Sequence, residues 1–95
     1  MNKYEALYVI SVNVEDEPRA ELIERISGIV TSNGGTVEKV DEWGRRRLAY
    51  PINYQNEGYY VLMTFQSEPS FPRELERNLQ ITEQVIRYLV TRVEE

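Results

Sequence analysis

The residue types that could do chemistry in this chain are concentrated in one short run of arginines. Arg45, Arg46 and Arg47 follow each other directly, between Gly44 and an alternating apolar segment at residues 48–52. A guanidinium group presents a fixed fork of N–H donors that matches a carboxylate or a phosphate. A strand that only needs a buried face does not need three adjacent cations. The run therefore indicates recognition of an anionic partner, protection of an exposed strand edge, or both.

The side chains that most often carry catalysis are missing from the sequence. The chain has no cysteine and no histidine, which excludes a disulfide framework, a thiol nucleophile and an imidazole base. Glu15, Asp16 and Glu17 are three consecutive carboxylates, but consecutive residues cannot all face one metal ion. They favour a solvated helix start, where acidic groups suit the helix dipole. We therefore expect a protein that is not an enzyme and that needs no cofactor.

The charge balance limits how much nucleic acid this chain could contact. The net charge is −5 and the isoelectric point is near 4.8, whereas phosphate contacts come from Lys and Arg. Positive charge is locally concentrated only at residues 45–47, and Lys3, Arg87 and Arg92 at predicted edges or ends are weaker candidates. If RNA is bound, this chain touches few phosphates and a protein partner carries much of the interaction.

Length and hydropathy predict a small protein in the cytoplasm. The 95 residues suit one domain spanning residues 1–95. Residues 1–5 do not resemble the start of a signal peptide, and no apolar run approaches the roughly 20 residues that cross a bilayer. We therefore expect no membrane association.

Hydrophobic periodicity predicts six elements of secondary structure. Alternating patterns predict strands at residues 3–12, 36–52, 59–65 and 85–93, and apolar stripes predict helices from residue 15 to 33 and from residue 70 through 79. Gly44 marks a bulge or bend in the second strand, and Pro51 marks that strand as an edge because it cannot donate a ladder hydrogen bond. Residues 53–57 are expected to form the turn after this strand.

The order strand–helix–strand–strand–helix–strand predicts an α+β fold of the ferredoxin-like, split βαβ type. We expect a four-stranded antiparallel sheet in the order 4-1-3-2, with both helices on one face. Alternation places Leu48, Tyr50 and Ile52 on one face of the second strand, with Arg45 and Arg47 on the other. Six apolar residues are expected to meet in one core: Ile26, Val30, Leu48, Val61, Leu75 and Leu79.

The block GRRRLAYPIN at residues 44–53 resembles the signature of the sixth small-subunit ribosomal protein family of bacteria. The order Gly, any residue, basic, polar, Leu, Ala, Tyr, any residue, Ile, polar matches at every position. The resemblance extends to Trp43 before the block, to Gly58-Tyr59-Tyr60-Val61 after it, and outward from residues 3–5 to the final strand.

This resemblance implies a non-catalytic structural protein with a ferredoxin-like fold. It implies binding to the central domain of small-subunit ribosomal RNA, in company with the eighteenth small-subunit protein. On that basis Arg45, Arg46 and Arg47 become the first candidates for partner or phosphate contact, followed by Lys3, Arg87 and Arg92. Asp41, Glu42 and Trp43 are the candidates for a partner-binding edge strand, and the free protein is expected to be a monomer.

Two alternatives stay open from the residues alone. A small-molecule regulatory domain of the same topology would homodimerise and bind its ligand at the interface. An RNA-recognition motif would stack bases on strand aromatics, but residues 57–64 match its consensus poorly, with an acid at the first position. Most of the tyrosines are expected to pack within the sheet, and Trp43 is equally suited to anchoring a partner or packing on its own hairpin.

Overall fold

The computed structural model describes residues 1–52 and 55–93 of the chain, and within these ranges one four-stranded sheet is accompanied by a pair of helices. The elements are β1 (Asn2–Ser11), α1 (Asp16–Ser32), β2 (Thr36–Ile52), β3 (Gln55–Ser67), α2 (Phe71–Ile81) and β4 (Val85–Arg92). The strand order is β2-β3-β1-β4, and every neighbouring pair is antiparallel. This confirms the ferredoxin-like plan, with β1 and β3 in the centre and β2 and β4 at the edges.

Helix α1 begins and ends where the sequence predicts. Asp16 and Glu17 lie in its first turn, where carboxylates stabilise the positive end of the helix dipole. At the other end the amide of Gly35 donates to the carbonyl of Val30 at 2.9 Å, and Gly34 adopts a φ of +82°. A left-handed residue at this position turns the chain out of the helix and into β2.

Gly44 forms the predicted bulge in β2. Its φ is +83°, and the register with β3 shifts between Glu42, which pairs with Val61, and Gly44, which pairs with Tyr60. Trp43 is therefore an extra residue on the edge strand, with no counterpart on β3. Glycine suits this position because side chains are strained at positive φ.

The hairpin after β2 is tighter than the sequence indicated. β3 already begins at Gln55, which pairs with Ile52, and Glu57 pairs with Arg47. The expected turn at residues 53–57 was therefore too long, because strand pairing extends across its second half. Asn53 and Tyr54 lie outside the described residues.

The main core lies between the sheet and the two helices. Five of the six expected core residues are buried there: Ile26, Val30, Val61, Leu75 and Leu79. They pack with alternate residues of β1, including Tyr8 and Ile10, and with the aromatic trio Tyr4, Phe65 and Phe71. Within the described residues, neither helix is long and apolar enough to cross a membrane.

Leu48 is buried, but not in this core, so that expectation was wrong. It lies beside Val9 and Gly58 on the face of the sheet that the helices leave uncovered, which we call the open face. A Cβ added to Gly58 would collide with Val9 Cγ1 and would lie 3.5 Å from Leu48 Cδ2 and 3.6 Å from Ile86 Cδ1. Alternation shows which residues share a face, but it does not show which face the helices cover.

Truncating a leucine should cost more unfolding free energy in the main core than on the open face. Leu75→Ala should lower the free energy of unfolding by about 2–5 kcal/mol, because Leu75 is fully enclosed in the main core. Leu48→Ala should lower it by less than half as much, because its small cluster on the open face can collapse around the missing atoms. Urea unfolding measures both, and Ile81→Ala, at a side chain 68% exposed, is the control that should change stability by less than about 0.5 kcal/mol. Equal losses at residues 48 and 75 would contradict this division.

Tyr8 places a hydroxyl inside the core. The residue has no exposed surface, and its hydroxyl finds no hydrogen-bond partner within residues 1–52 and 55–93. Burial raises the pKa of the Tyr8 phenol well above its usual range, and the negative charge of Glu42 adds to the rise. The folded state therefore disfavours the phenolate more strongly than the unfolded state does.

This difference predicts a loss of stability in alkali. Because the pKa of Tyr8 is raised on folding, its contribution is complete below the unfolded value of about 10 and declines as the pH rises above it. Between about pH 9 and about pH 11, the free energy of unfolding should therefore fall less in the Tyr8→Phe variant than in the parent. Urea unfolding at both pH values tests this, with Tyr50→Phe, at an exposed position, as the matched control. An equal or steeper decline in Tyr8→Phe than in the parent would refute the assignment.

Candidate nucleic-acid and partner interface

The three arginines divide between the two faces of β2. Arg45 pairs with Tyr59 and Arg47 with Glu57, whereas Arg46 pairs with Gly58. Tyr59 packs against the main core, so Arg45 and Arg47 lie on the helix side and Arg46 lies on the open face. All three are exposed. The predicted alternation of Arg45 and Arg47 against Leu48 is confirmed.

On the helix side, Arg45 belongs to a small polar network at the end of the hairpin. Its Nη2 lies 3.2 Å from Oε2 of Glu57. The phenol of neighbouring Tyr59 donates to Glu42 Oε1 at 2.8 Å, and the guanidinium of Arg19 lies 3.9 Å from the Tyr59 ring centroid. The hydrogen bond to Glu42, followed by partial burial, raises the pKa of Tyr59. Arg45 and Glu42 lie on the same side of the edge strand, because they pair with Tyr59 and Val61 on the helix side of β3.

An open cavity of about 510 Å³ lies between this network and the start of α1. Its lining combines Arg19 and Arg45 with the three carboxylates of residues 15–17. Arg19 is already paired with Asp16, at 2.9 Å. The surrounding carboxylates would repel an anion, so this cavity does not resemble a phosphate pocket. Among the residues that the structure describes, no group of three or more carboxylates is placed to hold a metal ion.

On the open face, Arg46 forms part of an aromatic stack. Its guanidinium lies 5.5 Å from the ring centroid of Trp43, which stacks on Tyr60 with centroids 6.3 Å apart and planes 9° apart. The indole N–H of Trp43 donates to Asp41 at 3.3 Å. Trp43 therefore packs on its own hairpin, as one of the two hypotheses expected, yet 39% of it remains exposed.

The weaker basic candidates lie elsewhere on the sheet. Lys3 forms an ion pair with Glu38 at 3.2 Å, and hydrogen bonds from Gln66, then from Lys3, hold the pKa of Glu38 below its usual range. Arg92 lies near the same end of β1 and donates to the side chain of Asn2. That end of β1 is far along the strand from its Ser11–Gly58 pairing beside the arginine run. The six basic candidates therefore do not converge on one point.

Arg87 belongs with the arginine run rather than with Lys3 and Arg92. It pairs with Val9 on the open face, and its guanidinium lies 5.5 Å from the ring centroid of Tyr50. The sequence did not predict this contact, because Tyr50 and Arg87 lie on opposite edge strands. The alternation of β4 predicts the face on which Arg87 lies, but it does not predict that the ring of Tyr50 reaches Arg87 from the other edge strand.

The model of the ribosomal protein S6 family matches residues 3–92 of this chain. The chain belongs to the ribosomal protein S6 family. It is 51% identical over 94 residues to the small ribosomal subunit protein bS6 of Alkaliphilus oremlandii, covering 99% of both chains. It is 50% identical to the protein of the same name from Alkaliphilus metalliredigens, over the full length of both. The resemblance found in the GRRRLAYPIN block is thus confirmed, and the family is one of structural ribosomal proteins rather than enzymes.

Solved structures agree with this assignment. The crystal structure of 30S ribosomal protein S6 from Thermotoga maritima superposes with a TM-score of 0.92 at 33% identity, covering 97% of this chain and 87% of that one. A protein from Arabidopsis thaliana, 14% identical, superposes with a TM-score of 0.59 over the whole of this chain and 95% of its own. The second likeness shows only that the fold is shared.

The structure also shows why the pattern of an RNA-recognition motif fits this family member poorly. The last of the three aromatic positions of that pattern falls on Thr64, which has no ring, and the other two fall on Tyr59 and Val61. Both lie on the helix side, where Val61 is fully buried and Tyr59 is covered by Arg19. A base could not stack on them from the open face.

Proposed function

We propose that this chain is a structural constituent of the small ribosomal subunit in the bacterial cytoplasm. It binds the central domain of small-subunit ribosomal RNA cooperatively with the eighteenth small-subunit protein. The observation that carries this proposal is the family match over residues 3–92, which includes the whole arginine block. The two Alkaliphilus relatives are named as proteins of the small ribosomal subunit over matching lengths.

The distribution of charge supports binding that depends on a partner. Arg46, Arg47 and Arg87 are exposed and form no ion pair with the described residues, so their guanidinium groups are available to phosphate. The rest of the chain brings the net charge to −5, which opposes approach to RNA. A few available guanidinium groups on an acidic protein favour weak binding alone and stronger binding with a basic partner.

The edge strand β2 supports protein docking. It pairs only with β3 in the described sheet, which leaves one row of its backbone groups without a neighbouring strand. Asp41 and Glu42 precede the Gly44 bulge and the arginines come after it, so the edge carries a fixed order of acidic and basic groups. Such an order opposes pairing with a wrong strand and attracts a partner of complementary charge.

The free protein is expected to be a monomer for the same reason. Two copies pairing through β2 would bring charged side chains of the edge together while burying little apolar surface. Sedimentation of the free protein tests this expectation. A stable dimer that dissociates or tightens with a small molecule would instead favour a regulatory domain of the same topology.

Replacing Arg45, Arg46 and Arg47 by Ala should weaken the ternary complex of RNA, partner and this chain. Stability should change little, because exposed charges contribute little to folding. If this chain neutralises two or three phosphates, its share of the salt dependence should have a slope of about −2 to −3 on a log–log plot. Filter binding of a central-domain RNA fragment, with and without the partner, measures both quantities.

A control variant that loses two positive charges replaces Arg25 and Arg73, exposed arginines on the two helices, by Ala. This variant should bind the partner and the RNA as the parent does. Tight binding of RNA by the parent chain alone would overturn the cooperative proposal.

A further inference from the structure

The open face contains an apolar hollow that neither helix covers. It has a volume of about 280 Å³ and is lined by Leu7, Val9, Tyr60, Arg87, Tyr88 and Leu89. Leu89 is 58% exposed at its rim, while Val9 at its base is almost fully buried. Tyr60 joins the hollow to the stack with Trp43, so apolar and aromatic surface continues from β4 to the edge of β2.

Two arginines mark the side of the hollow nearest the hairpin. Arg46 lies over Trp43 and Arg87 lies over Tyr50, each 5.5 Å from the ring centroid. Neither forms an ion pair within the described residues. Each aromatic ring therefore carries a cation beside it, and this side of the open face is positive on an otherwise acidic protein.

The acids of the open face do not cancel this charge. Asp41 lies 3.9 Å from Lys39 and also accepts from Trp43. Glu38 is held by Lys3, and Glu5 lies one open-face position beyond Leu7, pairing with Thr64 on the side away from the arginines. The positive charge thus stays next to the hollow.

A surface with these properties fits a flat apolar ring that carries a negative charge close by. An unpaired nucleotide has that form, since its base can stack on an aromatic or guanidinium plane while its phosphate meets an arginine. The bases of a duplex are stacked inside the helix and cannot enter such a hollow. An acidic peptide would satisfy the charge, but it would leave the stacked rings of Trp43 and Tyr60 without a flat counterpart.

We propose that the open face stacks an unpaired base of an RNA strand against Tyr60 and Leu89, with Arg46 and Arg87 on the adjoining phosphates. The inference rests on the proposed RNA-binding function and adds the class of ligand, a single-stranded nucleotide. It also assigns the two partners to different surfaces. The protein partner binds along the edge of β2, and the RNA binds on the open face.

Trp43 provides the probe, because it is the only tryptophan in the chain and it stacks directly on Tyr60. A short oligouridylate should quench its fluorescence in the full-length protein. The same strand annealed to oligoadenylate should not, and neither should inorganic polyphosphate. Tyr60→Leu and Arg87→Gln should each weaken the binding of the single strand about tenfold. Arg73→Gln, an exposed arginine on α2, is the matched control and should bind as the parent does.

Thermal unfolding establishes that each variant is folded, and Arg87→Gln changes an exposed side chain, so it tests the proposal even if Tyr60→Leu is unstable. Equal quenching by polyphosphate or by the duplex would overturn the proposal, since charge alone would then explain binding. Quenching by an acidic leucine-containing peptide but not by oligouridylate would assign the face to a protein and would also overturn it.

The two proposals fail separately. If the ternary complex with the partner forms but oligouridylate leaves Trp43 unchanged, the stacking site is refuted and the ribosomal function stands. If oligouridylate quenches Trp43 and the ternary complex does not form, the stacking site is supported and the cooperative function is refuted.

Discussion

Two helices can cover only one face of a four-stranded sheet, and the rest of this structure depends on that constraint. The covered face takes the large apolar residues of β1 and β3 together with the helix stripes, and it forms the main core. The uncovered face cannot be wholly polar, since central strands alternate and β1 is apolar on both sides. Part of this uncovered face, at Gly58, is covered by the side chains of Val9, Leu48 and Ile86. The remainder stays exposed as an apolar hollow, and exposed apolar surface of this kind is typical of interaction sites.

The bulge at Gly44 determines which of the three arginines lies on each face of the sheet. Inserting Trp43 into the edge strand shifts the register of the arginine run, so that Arg46 lies on the open face and its two neighbours lie on the helix side. Arg45 is then paired with Glu57, whereas Arg46 lies against Trp43 with no ion pair to a described carboxylate. One run of three identical residues thus serves two surfaces with different surroundings. Under the proposed function, the same alternation would oppose unwanted pairing of the edge strand and leave cations available to a partner or to RNA.

Much of the fold and some of the site could be predicted from particular residues. The glycines at 34, 35 and 44, the acidic start of α1 and Pro51 indicated the element boundaries and the edge strand, because each has a strong local conformational preference. The GRRRLAYPIN block predicted the family. The start of β3 was missed because turn propensity at residues 53–57 competes with strand pairing that is not visible in a local window. The contact of Tyr50 with Arg87 was missed because it joins strands at opposite edges of the sheet.

The sequence by itself determined the order of elements, the residues that share each face, the family and the charges available for binding. All of these depend on local periodicity and side-chain chemistry, which are properties of short segments. Only the tertiary structure decided which face the helices cover, and this assigned Leu48 to the open face, Tyr59 to the helix side and Tyr8 to a core with no partner for its hydroxyl among the described residues. The reason is that alternation is symmetric between the two faces of a strand, and the symmetry is broken only when distant helices pack against one of them.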